Sequence, residues 1–273
     1  KFADDTKVGR IITDESDGAS LQRSIDKLCQ WCEDWGMEIH PEKCAVIHFG
    51  KKNLRLKYKI GGSTVAEASS VRDLGVIIDE NCSSSEHVNK IARKAHVTLS
   101  QIKRATTLRD SATFTKLYTT YCRPLLEFAA PAWNPSKKED IETLEKVQRR
   151  ALRMISDLGD LKYEERPKRL GLQSLEDRRK RGDLLETYKT LNGKNDVDVE
   201  RWFDFVRDRH SRDTRSHEAN FLIAEKTRLD VRKNFFKNRI TNDWNSLPME
   251  IRTAGSTNSF KNNYDDYLRY INM

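Results

Sequence analysis

The strongest constraint on this chain lies between residues 83 and 104. Ser83-x-x-Glu86 is a capping-box pattern, in which each side chain can satisfy a free backbone amide of a helix's first turn. Behind it Val88, Ile91, Ala92, Ala95, Leu99 and Ile102 recur at i, i+3, i+4, i+7, i+11 and i+14. That spacing predicts a long helix with one apolar stripe, which has to be covered by other elements. Lys90, Arg93, Lys94, Lys103 and Arg104 take the other positions, so a basic surface is expected away from the stripe. A chain organised around such a helix needs further helices to pack on it.

The rest of the sequence supplies them. Residues 19–35 predict a helix through Leu21, Ile25, Leu28, Cys32 and Trp35, with Gly36 as its stop. A second helix is expected over 110–121. Pro124, Pro131 and Pro135 should break up the aromatic segment that follows. Helices are expected over 137–156, 174–191 and 227–244, and Ser256 can cap a last one bearing Phe260, Tyr264, Tyr267 and Leu268. Strand signals are confined to the first third. Residues 44–49 form an apolar run that reads as a buried strand. Short strands are expected near residues 58–60 and 65, around Gly61-Gly62, and another over 71–78. Residues 208–220 are the best linker candidate. The expected class is α+β, mainly α.

Composition sets the chemical class. The 273 residues carry 50 Lys and Arg against 42 Asp and Glu, a net charge of +8. The first 50 residues have net charge −4, whereas residues 88–123 have +7 and residues 146–181 have +6. An acidic end able to hold cations thus precedes a basic body able to hold a polyanion, and nucleic acid is the natural partner. Solvated helix surfaces account for the same charges equally well. No stretch approaches the roughly 20 apolar residues of a membrane span, so no membrane role is expected. Five cysteines, an odd number, argue for a reducing, intracellular setting, cytoplasmic or nuclear, rather than secretion.

The chemistry-bearing candidates are few. Asp4-Asp5 places two adjacent carboxylates, which repel unless a cation lies between them; hard cations such as Mg²⁺ take this kind of ligand. A solvated turn is the commoner explanation of such a pair taken alone. Cys29-x-x-Cys32 with His40 and Cys44 could suggest zinc, but Cys32 lies on an apolar stripe and buried thiols are expected instead. His210 and His217 stand in a polar stretch and read as solvated. Phe235, Phe236 and Trp244 have the helical spacing of core residues.

The order of the motifs resembles one family. Phe2-Ala3-Asp4-Asp5, the helix over 19–35, Trp35-Gly36-Met37, Pro41-Glu42-Lys43-Cys44 and the strand ending at Phe49-Gly50 come first. Val71-Arg72-Asp73-Leu74-Gly75-Val76-Ile77-Ile78-Asp79 follows, then Arg123-Pro124-Leu125-Leu126-Glu127-Phe128 with Trp133-Asn134-Pro135. Val147-Gln148-Arg149-Arg150-Ala151-Leu152-Arg153 and the Asn242-to-Pro248 segment complete the set. The series resembles the palm and the segments after it in reverse transcriptases of non-LTR, jockey-like (LINE) retrotransposons.

That resemblance implies RNA-directed DNA polymerisation by two-metal nucleotidyl transfer, with an RNA template, a DNA primer and deoxynucleoside triphosphates. It implies a partial polymerase palm over 1–80, a helical thumb over 81–160, a helical connection and polar linker over 161–225, and a C-terminal helical region over 226–273. Asp4 and Asp5 would be ligands of Mg²⁺ or Mn²⁺. Lys43 would meet the leaving pyrophosphate, where negative charge builds. His40 stands where relatives often have Asn. Residues 71–79 would be the hairpin that holds the primer end, which makes Arg72 a nucleic-acid contact. Lys90, Arg93, Lys94, Lys103, Arg104 and Arg109 would contact phosphates from the thumb, independently of base sequence.

The opening Lys1, with Phe2-Ala3 running straight into the acidic pair, reads as a chain cut inside a strand. The expectation is therefore a C-terminal fragment, lacking the fingers and an upstream palm aspartate, that binds no metal and does not polymerise alone. Two other readings use the same residues: a non-catalytic basic helical module that binds nucleic acid or another partner, and a decayed reading frame.

Overall fold

The structure is a computed structural model that describes residues 3, 5–206 and 220–271. Asp4, His210, His217 and most of the expected linker lie outside the described residues. The chain divides into two compact units, Lys1–Glu86 and His87–Met273.

In the first unit, helix α1 spans Glu15–Asp34 and begins earlier than its apolar stripe suggests. The reason is Asp14, whose carboxylate accepts hydrogen bonds from the Ser16 and Asp17 amides and so caps the first turn. At the other end Gly36 adopts φ +65°, and the Met37 amide reaches back to the Cys32 carbonyl at 2.8 Å. This glycine-dependent closure satisfies carbonyls that the helix leaves free. Gly18 sits mid-helix because Leu56 presses on it; a Cβ there would lie 2.2 Å from the Leu56 Cδ1 methyl. The Gln22 side chain also fixes α1, donating to the Lys59 carbonyl and accepting from the Lys59 amide, both at 2.9 Å.

The strands are shorter and more divided than expected. The apolar run at 44–49 yields only β1, Ala45–Val46, paired in parallel with β4, Ala66–Glu67. Its one neighbour pairs for two residues, and Ala45 and Phe49 remain exposed, so the run is not a buried strand. β2, Lys59–Ile60, and β3, Ser63–Thr64, form a hairpin across Gly61-Gly62, which both take positive φ as tight hairpin turns require. Residues 71–78 are not one strand but a hairpin of β5, Ser70–Asp73, and β6, Val76–Asp79. The turn places Leu74 at φ +45° and Gly75 at φ +92°. Among the described residues the unit thus holds three separate two-stranded ladders, two antiparallel and one parallel. Arg55 forks onto Glu67 and Glu80, tying the end of β4 to the end of β6.

The second unit is helical. Helix α2 spans Ser85–Ala105, and Val88, Ala95 and Leu99 of its stripe are wholly buried. Helix α3, Ser111–Leu117, is capped by Asp110 and continues through a π turn at Tyr118–Cys122 into α4, Arg123–Glu127. Pro124 therefore does not break the helix. It has no amide to offer, and the Arg123 amide reaches back five residues to the Tyr118 carbonyl instead. Pro131 likewise falls in the first turn of α5, Ala130–Trp133, where no intrahelical amide is needed. α6, Lys138–Arg153, and α8, Leu175–Leu191, are the expected helices, with the short α7, Glu165–Arg169, between them.

The expected helix over 227–244 is two pieces, α10 at Asp230–Lys233 and α11 at Phe236–Asn245, after the short α9 at Val199–Trp202. Phe235 has extended backbone between the pieces and stacks on Trp202 at 5.8 Å. α12, Met249–Arg252, and α13, Thr257–Ile271, finish the chain, with the Ser256 hydroxyl accepting the Ser259 amide at 3.0 Å. Tyr188, Trp244 and Tyr264 each stack on Phe260 within this core, with Tyr188 and Phe260 rings 4.6 Å apart.

A buried polar cluster links α5, α8 and α11. Asp183 accepts two bonds from Arg239, each 2.9 Å, and one from Asn134 Nδ2 at 2.8 Å. Arg239 also donates to the Pro131 carbonyl at 2.7 Å, and Asn134 Oδ1 accepts Arg179 Nε at 3.0 Å. The class is α+β and mainly α, as the sequence implies. Among the described residues no helix is long and apolar enough to cross a membrane.

Candidate nucleic-acid interface

Helix α2 separates its charges from its core contacts. Lys90, Arg93, Lys94 and Arg104 are exposed and share the side opposite the buried stripe, together with Val97 and Gln101. At 1.5 Å per residue the charges from Lys90 to Arg104 extend about 21 Å, a length over which duplex DNA presents about a dozen phosphates. Lys103 is exposed too, but it leaves from the flank of the buried stripe and not from this basic side. None of these five cations has an ion-pair partner among the described residues. Their charge is thus available to an external anion.

A sixth cation joins them from α6, one the sequence reading did not single out. Arg150 places Nη1 3.3 Å from His96 Nδ1 and donates through Nη2 to Ser100 Oγ at 3.3 Å, both on α2. Its position depends on packing between helices 50 residues apart, so no local motif announces it. Burial, and next the nearby Arg150 charge, hold His96 below the ordinary imidazole value. His87, at the start of the helix, is almost fully buried, with its ring 4.9 Å from that of Trp133. Burial depresses its pKa too, with Lys90 adding a smaller push.

The sign for stability follows. Below an unfolded value of about 6.5 the unfolded chain takes up a proton that native His87 refuses. His87 therefore contributes stability above pH 6.5 that is lost as pH falls towards its depressed native value. We expect a His87→Phe chain, which keeps a ring against Trp133, to lose less stability between pH 7 and pH 5 in urea unfolding. The difference in slope should approach about 1.4 kcal/mol per pH unit in that window. Equal slopes for the two chains would refute it.

The other sequence candidates are scattered. Arg109 is half-buried beyond the end of α2, its Nε is buried without a hydrogen-bond partner, and its carbonyl accepts the Ser156 amide at 2.9 Å. Arg72 is exposed on β5 in the first unit. Lys43 ends a 3-10 turn at Pro41–Lys43, is exposed, and donates its amide to the His40 carbonyl at 3.0 Å. His40 Nδ1 lies 3.4 Å from a Glu42 oxygen. Asp5 is exposed, and no hydrogen bond or ion pair joins it to Lys43. All five cysteines are free thiols. Among the described residues no three His, Cys, Asp or Glu side chains converge.

Comparison with known proteins gives the nearest functional information. The chain is 23% identical over 162 residues to the RNA-directed DNA polymerase from mobile element jockey of Drosophila melanogaster, covering 57% of this chain and 18% of that protein. It is 21% identical over 143 residues to a probable RNA-directed DNA polymerase from transposon BS of the same fly, covering 50% and 16%. The similarity is to polymerases of mobile elements. An uncharacterized Caenorhabditis elegans protein, B0403.1, is 24% identical over 126 residues, covering 45% of this chain and 63% of that protein. The chain spans less than a fifth of the length of the named polymerases. No family model matches, and no solved structure matches.

Proposed function

We propose that this chain is the C-terminal part of the RNA-directed DNA polymerase of a non-LTR retrotransposon, and that α2 lies along the template–primer duplex as part of a thumb. The observation that carries the reading is the row of exposed, unpaired cations opposite the buried stripe of α2. The distant similarity to the jockey polymerase supplies the ligand class. In this reading Arg72, on the β5–β6 hairpin, joins the nucleic-acid contacts of the palm, and Arg109 and Lys103 border the duplex rather than centre it.

The divalent ion implied by the resemblance would neutralise the transferring phosphates. On the sequence resemblance Asp4 and Asp5 are assigned to that ion and Lys43 to the leaving pyrophosphate. Primer extension by a polypeptide extended upstream, with Mg²⁺ or Mn²⁺ and an Asp4→Asn control, separates a polymerase from a non-catalytic basic module.

Binding tests the α2 assignment directly. With an RNA–DNA duplex, a Lys90→Ala/Arg93→Ala/Arg104→Ala chain should bind about 10²–10³-fold more weakly near 0.1 M salt. Its slope of log affinity against log salt should flatten by about 2.7, since each lost phosphate contact removes about 0.9. An unchanged slope would remove α2 from the interface.

A further inference from the structure

A cavity in the second unit has none of its lining residues on α2. It has a volume of about 680 Å³, and its wall carries Arg123, Lys168, Arg178, Arg181 and Arg269 against the single carboxylate of Asp265. These cations come from α4, from α7, from α8 and from α13, so the concentration arises in the fold and not in one sequence run. We propose that this cleft is a second anion site, which holds the phosphodiester backbone of a single nucleic-acid strand.

Two of the guanidiniums are already aimed. Arg178 grips Glu127 through Nε and Nη2, and Arg181 grips Asp265 through Nε and Nη2 at 2.7 Å each. Each carboxylate engages one edge of its guanidinium and leaves the Nη1 protons unused. A planar fork held this way presents its remaining donors at little entropic cost, and such donors suit phosphate oxygens.

Arg123 gives a second reason for an anion. It lies against Arg178, and the two share Glu127, whose Oε1 is 3.8 Å from Arg123 Nε. Three charges in that arrangement leave a net positive one, partly buried. Burial, and next the Arg178 charge, push the Arg123 guanidinium below its ordinary value. An anion beside the pair relieves both penalties.

The rim completes the case. Lys168 is exposed and has no ion-pair partner among the described residues, while Arg269 pairs only with exposed Asp266 on its own helix. Gly171, at φ +62°, forms part of the wall with nothing within 4 Å of its Cβ position, so no side chain narrows the cleft there. Several cations spread along a cleft match a chain of phosphates better than one small anion. A volume in the range of small-ligand pockets takes a nucleotide or two of single strand, not a duplex. The choice of nucleic acid among polyanions rests on the function proposed above; the cleft and its charge do not.

The test uses the full chain and a fluorescein-labelled 12-nucleotide oligo-dT, read by anisotropy. A Lys168→Ala/Arg269→Ala chain alters only exposed side chains and leaves the Arg178 and Arg181 braces intact. We expect it to bind the strand about 20-fold more weakly near 0.1 M salt, with the salt slope reduced by about 1.4, two contacts at about 0.7 each for single strands. Duplex binding through α2 should fall far less. Unchanged strand binding would overturn the proposal, and so would equal displacement of the strand by polyglutamate of matched charge. Loss of duplex binding in the α2 variant with no effect of the cleft variant would retain the thumb assignment and remove the cleft alone.

Discussion

Replacing Arg239 with alanine should destabilise the second unit by about 3–5 kcal/mol, enough to leave a domain of ordinary stability barely folded. Asp183 is almost fully buried, and Arg239 supplies two of the three side-chain bonds to its carboxylate. Alanine would leave that charge stranded in the interior, which costs far more than the pair contributes when intact. The same change removes the donor to the Pro131 carbonyl and so loosens α5. Urea unfolding is the measurement. An Arg239→Met/Asp183→Leu chain should recover most of the loss, because it removes both charges together. If the single variant lost less than 1 kcal/mol, the cluster would not be holding the three helices.

A comparable loss, about 3–5 kcal/mol, is expected for Trp244→Ala. Trp244 is wholly buried, its ring lies 6.2 Å from that of Phe260, and its indole nitrogen donates to the Asn220 carbonyl at 3.0 Å. Alanine leaves a cavity between α8, α11 and α13 and an unpaired carbonyl at its edge. Trp35 provides the contrast. It is 71% exposed, and its replacement by alanine should change stability by no more than about 0.5 kcal/mol. Thermal melts of the two variants compare the sites; equal shifts would contradict the assigned core.

Elements whose signal is local were legible in the sequence. The stripe at Val88, Ala92, Ala95 and Leu99 predicts α2 nearly to its ends, because one helix face must be covered whatever covers it. Ser256 likewise marks a helix start through a hydroxyl that accepts an amide of the first turn. The strands were harder. An apolar run such as 44–49 records that side chains prefer cover, but not how many neighbours will pair with the backbone. The apolar residues over 71–78 suggest one strand, whereas the resemblance implies a hairpin there, and the structure has the hairpin, with Leu74 at a positive φ that leucine rarely takes.

The basic side of α2 follows from its spacing; Lys103, exposed as well, leaves from the flank of the stripe. Arg150, and the cleft shared by Arg123, Arg178, Arg181 and Arg269, depend on contacts between distant segments. Single-sequence spacing carries no record of those. In the run Arg178-Arg179-Lys180-Arg181 the helix sends Arg179 inward to Asn134 and its neighbours to the cleft and surface.

The turn at Tyr118–Cys122 has a consequence for how this chain tolerates change. It accommodates one more residue than an α-turn, so everything after it is rotated relative to everything before. Pro124 favours that offset, since in a regular α-turn its ring would press on the carbonyl four residues back. The orientation of Leu126 into the interior and of Arg123 and Glu127 towards Arg178 is therefore tied to this wide turn, and a one-residue deletion here would re-aim α4 rather than merely shorten it.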